Sequence, residues 1–367
     1  MLSDTELEAL LSVSNADRDE VIHSVTDHAD AIFTWDYTKG ARPQLEKLYE
    51  KAKTSQWNGE TDLPWETEVD PERDMQDMMS TFQGFAESRD LDGTPFATWG
   101  AREWLDFNLE QQAWTLAQFM HGEQGALVCT AKIVETVPWI DAKYYAATQV
   151  MDEARHVEVF AKYLHTKLER TYPVNAHLGL LLDDIVEDSR WDMTYLGMQI
   201  MVEGLALAAF GFMHSLTREP LLKKLLRYVM SDEARHVAFG VLSLREYYEG
   251  LTDAEMLERQ QFAYEASVRM RDRFMAQEVF ERMGVNVKDA MTLVNQDPGR
   301  PIFQAVLFSK IVPNCRKLGL LDRNDGWLRD RFAEMGVIGF ENWVDTGDEY
   351  ETMQLNDTEL NGSATAS

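Results

Sequence analysis

A six-residue string, Asp-Glu-Ala-Arg-His-Val, occurs at positions 152–157 and again at 232–237. Thirty residues before the glutamate of each copy stands another glutamate, Glu123 before Glu153 and Glu203 before Glu233. Each copy contains Glu-x-x-His, which at 3.6 residues per turn places a carboxylate and an imidazole on one face of a helix, within reach of one metal ion. Any fold of this chain must therefore accommodate four carboxylates and two imidazoles laid out twice in one pattern.

The breaks around these residues set their heights. The spacing predicts helices over residues 100–136 and 140–170, with Pro138 between them and Pro173 beyond the second. Glu123 lies 15 residues before Pro138 and Glu153 lies 15 after it. An antiparallel hairpin brings the two carboxylates level, about 20 Å from the turn. A second pair of helices, from after Ser189 to near Thr217 and from about Pro220 to near Gly250, levels Glu203 and Glu233 within about one turn. Two hairpins related by a pseudo-twofold axis gather all six residues at mid-height. The segment 176–188 is left as the crossover between them, long enough for a short helix.

Four ionised carboxylates in a bundle core are prohibitive to bury without counter-charge. Two divalent ions neutralise them, and the carboxylate–imidazole donor set suits iron or manganese better than a thiolate-seeking metal. Asp152 and Asp232 are placed to accept the second N–H of the opposite histidine, with Arg155 and Arg235 balancing their charge. Residues one or two turns from the ligands are the candidates for a dry cavity: Phe119, Leu127, Phe160, Leu207, Phe210, Val229 and Phe239, with Gln149 and Gln199 as its polar members. His214, eleven residues after Glu203, is a further candidate for the surroundings of the site.

The remainder bounds the function class. A formal charge of −28 argues against nucleic-acid binding and against adhesion to anionic membranes. Two cysteines, Cys129 and Cys315, form no C-x-x-C pair, which points to a reducing, cytoplasmic setting. The start of the chain lacks the basic and apolar regions of a signal peptide. The apolar run 196–213 has the composition of a membrane span, but Glu203 in its middle assigns it to a protein core and predicts no membrane insertion. No Gly-rich phosphate loop or dinucleotide fingerprint occurs, so the chain is expected to hold no cofactor beyond metal. His23, Asp27 and His28 mimic a metal site, which a solvated helix face explains as well.

The expected class is all-α: a ferritin-like four-helix bundle over residues 100–250, with a helical extension at 1–99, another at 251–345, and a disordered tail at 346–367. Capping boxes at Ser3–Glu6 and Thr252–Glu255 open helices in the two extensions, and the short helices before residue 53 read as peripheral. From Gln56 to Asp70 the pattern is irregular.

With these motifs in place, residues 100–250 resemble the diiron-carboxylate ferritin-like oxygenases: the alpha subunits of bacterial multicomponent monooxygenases, the arylamine N-oxygenases, the acyl-carrier-protein desaturases and the ribonucleotide reductase small subunits. The resemblance implies Glu123, Glu153 and His156 on one iron and Glu203, Glu233 and His236 on the other, with Glu153 and Glu233 bridging. Where arylamine N-oxygenases have an extra histidine this chain has Val229. Where the reductase subunits have a radical tyrosine it has Phe160, and where monooxygenases have a threonine it has Ala206 and Leu207.

The expectation that follows is an O2-dependent enzyme with two iron ions cycling between Fe2+ and Fe3+, or manganese at one or both positions. It would hydroxylate or N-oxygenate a small, largely apolar or aromatic substrate, with O2 as co-substrate. Electrons would come from an external ferredoxin or reductase, and long exposed helices make a homodimer the expected assembly. The alternatives are a desaturase or other oxidase of a carrier-bound substrate, and an iron-oxidising or iron-handling protein.

Overall fold

The computed structural model describes residues 2–14, 29–31, 37–81, 91, 93–296 and 300–352. His23, Asp27 and His28 lie outside the described residues, as do positions 353–367 of the expected tail. The described residues contain no strand, in keeping with the all-α expectation.

Before the bundle come α1 (Asp4–Ser12), α2 (Pro43–Thr54) and α3 (Pro71–Thr81). The bundle consists of α4 (Ala101–Thr136), α5 (Ile140–Tyr163), α7 (Trp191–Leu216) and α8 (Pro220–Tyr248), with the crossover helix α6 (Ala176–Glu187) between the hairpins. Beyond it lie α9 (Asp253–Arg273), α10 (Gln277–Arg282), α11 (Val287–Asn295), α12 (Arg300–Leu307), α13 (Ile311–Lys317), α14 (Trp327–Glu334) and α15 (Thr346–Thr352).

Local chemistry accounts for the ends of these helices. The Ser3–Glu6 and Thr252–Glu255 capping boxes both form, each satisfying two otherwise orphaned backbone donors. Asn175 caps α6 by accepting from the amides of His177 and Leu178. Pro220 occupies the first turn of α8, and the Glu219 carboxylate in front of it accepts from Leu221 N at 2.7 Å and Leu222 N at 2.6 Å. The connections at 137–139 and 217–219 are short, so each hairpin is antiparallel.

Two departures from regular helix were not foreseen. Instead of running to residue 170, α5 ends at Tyr163 and passes into a π turn, Leu164–Leu168, closed by Glu169 with φ of 52°. More consequentially, Leu196–Val202 within α7 is π-helical, immediately before Glu203. Its backbone bonds run i to i+5, and such wide turns commonly occur at functional sites. The wide turn is pressed hard on both sides. A Cβ on Gly240 of α8 would lie 2.5 Å from the Cβ of Gln199, and one on Gly197 would lie 2.5 Å from Ile185. Only glycine admits these approaches.

An 18-residue stretch of α7 has a mean hydropathy in the range of a membrane span, yet 83% of that stretch is buried within the protein. It packs against α8 on one side and against α9 and α12 on the other. The tail expectation needs correction at its start. Residues 346–352 form α15, seated on α8. Asn314 holds Thr346 through two hydrogen bonds, and Lys310 and Lys317 pair with Glu349 and Asp348. The acidic composition that suggested disorder is matched by basic residues far away in the sequence. The N-terminal extension is likewise more than peripheral, since buried Asp141 at the start of α5 accepts the amides of Gly40 and Arg42 at 2.7 and 2.9 Å.

Because the neighbour of Gly240 is a Cβ rather than the tip of a flexible side chain, Gly240→Ala has to push α7 and α8 apart. Thermal unfolding is expected to show a loss of about 1–3 kcal/mol, the usual cost of overpacking a core.

Candidate metal centre

All six expected ligands converge between the two hairpins, and all are buried. Ligand atoms from Glu123, Glu153, His156 and Glu233 lie within 4.8 Å of one another, as do those from Glu153, Glu203 and His236. The imidazole centroids are 5.9 Å apart. His156 Nδ1 is 3.3 Å from Glu123 Oε2 and 3.1 Å from Glu233 Oε1, while His236 Nδ1 is 3.0 Å from Glu153 Oε1. Glu153 and Glu233 each face both imidazoles, the second contacts being 3.5 Å for Glu153 to His156 and 3.7 Å for Glu233 to His236. Both carboxylates therefore lie between the two imidazoles.

The other ring nitrogens point away from this cluster, to the aspartates. His156 Nε2 is 3.1 Å from Asp232 Oδ2 and His236 Nε2 is 3.3 Å from Asp152 Oδ2. The pairing is crossed, each aspartate serving the histidine of the other repeat. Arg155 Nη2 donates to Asp152 at 2.5 Å and to Asp232 at 2.9 Å, and Arg235 donates to Asp232. Each aspartate thereby accepts a hydrogen bond from the opposite Nε2–H, which favours the tautomer that leaves Nδ1 free for a metal.

Two further partners come from the irregular segment after α2. The Trp57 indole N–H donates to Asp232 Oδ2 at 2.8 Å, and Trp57 lies over the Arg155 guanidinium, 4.5 Å from ring centroid to carbon. Gln56 donates to Asp152 at 3.1 Å and accepts from Arg155 at 2.9 Å. Sequence spacing offered no route to either residue. The available signal was chemical, since two buried aspartates demand more donors than two arginines and two histidines supply.

Gln149, one turn before Glu153, donates to Glu153 Oε1 at 2.9 Å and to Glu203 Oε1 at 3.1 Å, and so ties the two hairpins together. Gln199 is 3.5 Å from Glu203. Phe119 and Phe210 line a small void of about 20 Å3 beside Glu123, Glu203 and Glu233. Phe160 stacks behind them, 5.7 Å from Phe210 and 6.2 Å from Phe119.

Leu127, Leu207, Val229 and Phe239 do not line this void. Leu127 is only half-buried, because the face of α4 that carries Glu123 inward continues through Ala126 and Thr130. Val229 and Leu207 are buried core residues, and Phe239 packs with Tyr145 and Tyr195 at 4.4 and 5.1 Å. His214 is half-buried on the outer part of α7, where burial, Lys223 and Arg227 lower its pKa.

The electrostatics of the bare donor set ask for cations. Burial raises the carboxyls of Glu123 and Glu203 well above their ordinary value, aided by Glu233 at Glu123 and by Glu153 and Glu233 at Glu203. Burial opposes charge on both histidines as well. The carboxylates of Asp232, Glu123, Glu153 and Glu233 around the ring outweigh it at His156, and those of Glu153, Glu233 and Asp152 outweigh it at His236, so both pKa values rise. Burial likewise works against the charged forms of Glu153 and Asp232, but the histidines, with Arg155 and Arg235 at Asp232, hold both carboxyls below their usual range. Glu153 Oε2, Glu203 Oε2, both Glu233 oxygens and His236 Nδ1 have no hydrogen-bond partner among the described residues. Five unsatisfied, buried donor atoms of types that bind iron or manganese, aimed at one place, fit two metal ions.

No protein-family model and no curated protein matches the chain. It is similar to solved structures of R2-like ligand-binding oxidases with a reconstituted Mn/Fe cofactor. One variant, reconstituted anaerobically, is 18% identical, with 79% of this chain and 98% of that chain covered and a TM-score of 0.45. A second is 17% identical over 81% of this chain and 100% of that chain, with a TM-score of 0.48. A third, reconstituted aerobically with a long soak, is 18% identical over 84% and 96%, with a TM-score of 0.40.

Two outcomes follow from this geometry. Trp57→Phe removes a donor to Asp232 while keeping an aromatic ring, and chelator competition is expected to show metal affinity about 10–100-fold lower. The second concerns pH. For the two histidines and for Glu123 and Glu203 the folded pKa is raised, so folding takes up protons, and that stability fades as pH rises through the folded values. Glu153 and Asp232 act oppositely, but only in acid, below their unfolded values. Metal-free protein is therefore expected to lose denaturant resistance as pH climbs above about 6.5, the ordinary histidine value, whereas metal binding strengthens over the same range.

Proposed function

We propose that the chain is an O2-dependent dinuclear-iron oxygenase that hydroxylates or N-oxygenates a small, largely apolar or aromatic organic substrate. The observation that carries this reading is the doubled donor set with its unsatisfied atoms. Four glutamates and two Nδ1 atoms face one another, while every Nε2 is held by the opposite repeat's aspartate. Glu123, Glu153 and His156 would hold one ion and Glu203, Glu233 and His236 the other, with Glu153 and Glu233 close to both histidines. Bound iron, with manganese the alternative at either position, supplies the redox change and the reduction of O2 that no amino-acid side chain provides.

The protein's share is positioning, insulation and charge. Asp152 and Asp232 each accept from the Nε2–H of the opposite histidine, and Arg155 and Arg235 pair with those aspartates. Gln149 restrains the carboxylates of Glu153 and Glu203 together. Phe119, Phe160 and Phe210 close the side of the centre toward the small void, which limits water there. The sequence carries no flavin, nicotinamide or iron–sulfur motif, so an external ferredoxin or reductase delivers the electrons.

Iron-loaded protein, chemically reduced and then mixed with oxygenated buffer, is expected to consume O2, faster in the presence of a substrate. Glu153→Ala, which removes one bridge, is expected to bring metal content below two per chain and to abolish the uptake. An iron-loaded wild type that consumes no O2 with any candidate substrate would sink the reading.

A further inference from the structure

Arg273, the last residue of α9, is 3% exposed and makes no hydrogen bond or ion pair among the described residues. Its guanidinium lies over the Phe274 ring at 4.7 Å, and its Nε is one of the buried atoms without a partner. The comparison with other buried arginines is sharp. Arg155 and Arg235 are tied to Asp152 and Asp232, and Arg259 to Asp192. Burial pushes the Arg273 guanidinium down to about 10, so it still carries its charge at neutral pH. The end of a helix favours a cation, but none of the free carbonyls there accepts from this one among the described residues.

The side chain lines the same small void as Glu123, Glu203 and Glu233. At about 20 Å3 the void has room for about one water. Phe119 is the wall between this void and a second cavity of about 360 Å3, and Phe274, on which Arg273 rests, also lines that cavity. Met75, Phe212, Met213 and Phe303 make its walls largely apolar. Its size lies in the lower part of the range for small-molecule sites.

Charge decides what kind of molecule fits. Once two divalent ions balance the four ligand glutamates, and Arg155 and Arg235 balance the two aspartates, Arg273 leaves one positive charge over. Asp74 and Glu219 line the larger cavity together with Tyr163, whose hydroxyl donates to Glu219 at 3.1 Å. Burial and then the Glu219 charge raise the Asp74 carboxyl. An anion is thus disfavoured beside these residues and favoured at Arg273.

We propose that Arg273 anchors the anionic group of the substrate, which is a carboxylic acid with an apolar body: the carboxylate pairs with the guanidinium at the void and the body occupies the 360 Å3 cavity behind Phe119. The guanidinium fork matches a carboxylate through two parallel hydrogen bonds. Because the void alone is too small for a carboxylate, the Phe119 ring turns aside when the ligand enters. This assignment rests on the reading of the centre as metal-loaded.

Calorimetric titration of the metal-loaded full chain under nitrogen tests it, with benzoate and octanoate as probes against benzamide and octanamide. At least one acid is expected to bind tenfold or more tightly than its amide. Arg273→Met should erase that preference while leaving the unliganded thermal midpoint equal or higher, since an unpaired buried charge is removed. Equal binding of acid and amide by the wild type overturns the proposal, as does an acid preference that survives in Arg273→Met. A larger loss in Arg218→Gln, which alters the exposed arginine at the rim of the cavity, overturns it as well. If Arg273→Met does not fold, the wild-type preference and its retention in Arg273→Lys decide the matter. Because binding is read without O2, absence of O2 uptake alongside an intact acid preference counts against the oxygenase reading alone.

Discussion

Four carboxylates buried at one height in a helical bundle are the constraint on which the rest of this structure depends. Removing such charges from water costs several kcal/mol per ion even after relaxation, and neighbouring like charges add to it. The protein answers in layers. Nδ1 of each histidine faces the carboxylates, each Nε2 is bound to an aspartate, and each aspartate is bound to arginine. What remains unsatisfied after those layers is a set of inward-pointing oxygens and a nitrogen. Two divalent cations would complete it. Without them burial and the crowded carboxylates raise the pKa values of Glu123 and Glu203, and against burial the carboxylates raise those of both histidines.

Much of this was legible because it depends on helical periodicity. A repeat of Glu-x-x-His with a glutamate thirty residues upstream places six side chains by counting turns, and prolines mark where the counting restarts. The crossed aspartates were legible for the same reason, since Asp152 and Asp232 precede ligands on the same helices. Of the expected cavity residues, Phe119 and Phe210 line the small void beside the glutamates. The positions four residues from a ligand, such as Leu127 and Val229, depend on the rotation of each helix about its own axis, which a wide π turn and close contacts at Gly197 and Gly240 adjust.

The parts that periodicity cannot reach come from outside the bundle. Trp57 and Gln56 enter from an irregular segment whose shape follows from its anchorage to α5, and they complete the hydrogen bonding of the aspartates. Arg273 enters from the end of a helix that packs across α6 and α7. The long extensions on either side of the bundle therefore supply second-layer donors on one face of the centre and an unpaired cation on another. A bundle alone would hold the six ligands but would lack both.

The central claim is that the doubled constellation holds two transition-metal ions between the hairpins. Anomalous diffraction at the iron and manganese edges, from crystals of protein prepared with metal, tests it most directly. The account predicts two resolved peaks, one beside Glu123 and His156 and one beside Glu203 and His236, with Glu153 and Glu233 between them. A single peak, or none at this place in protein that carries metal elsewhere, would contradict it.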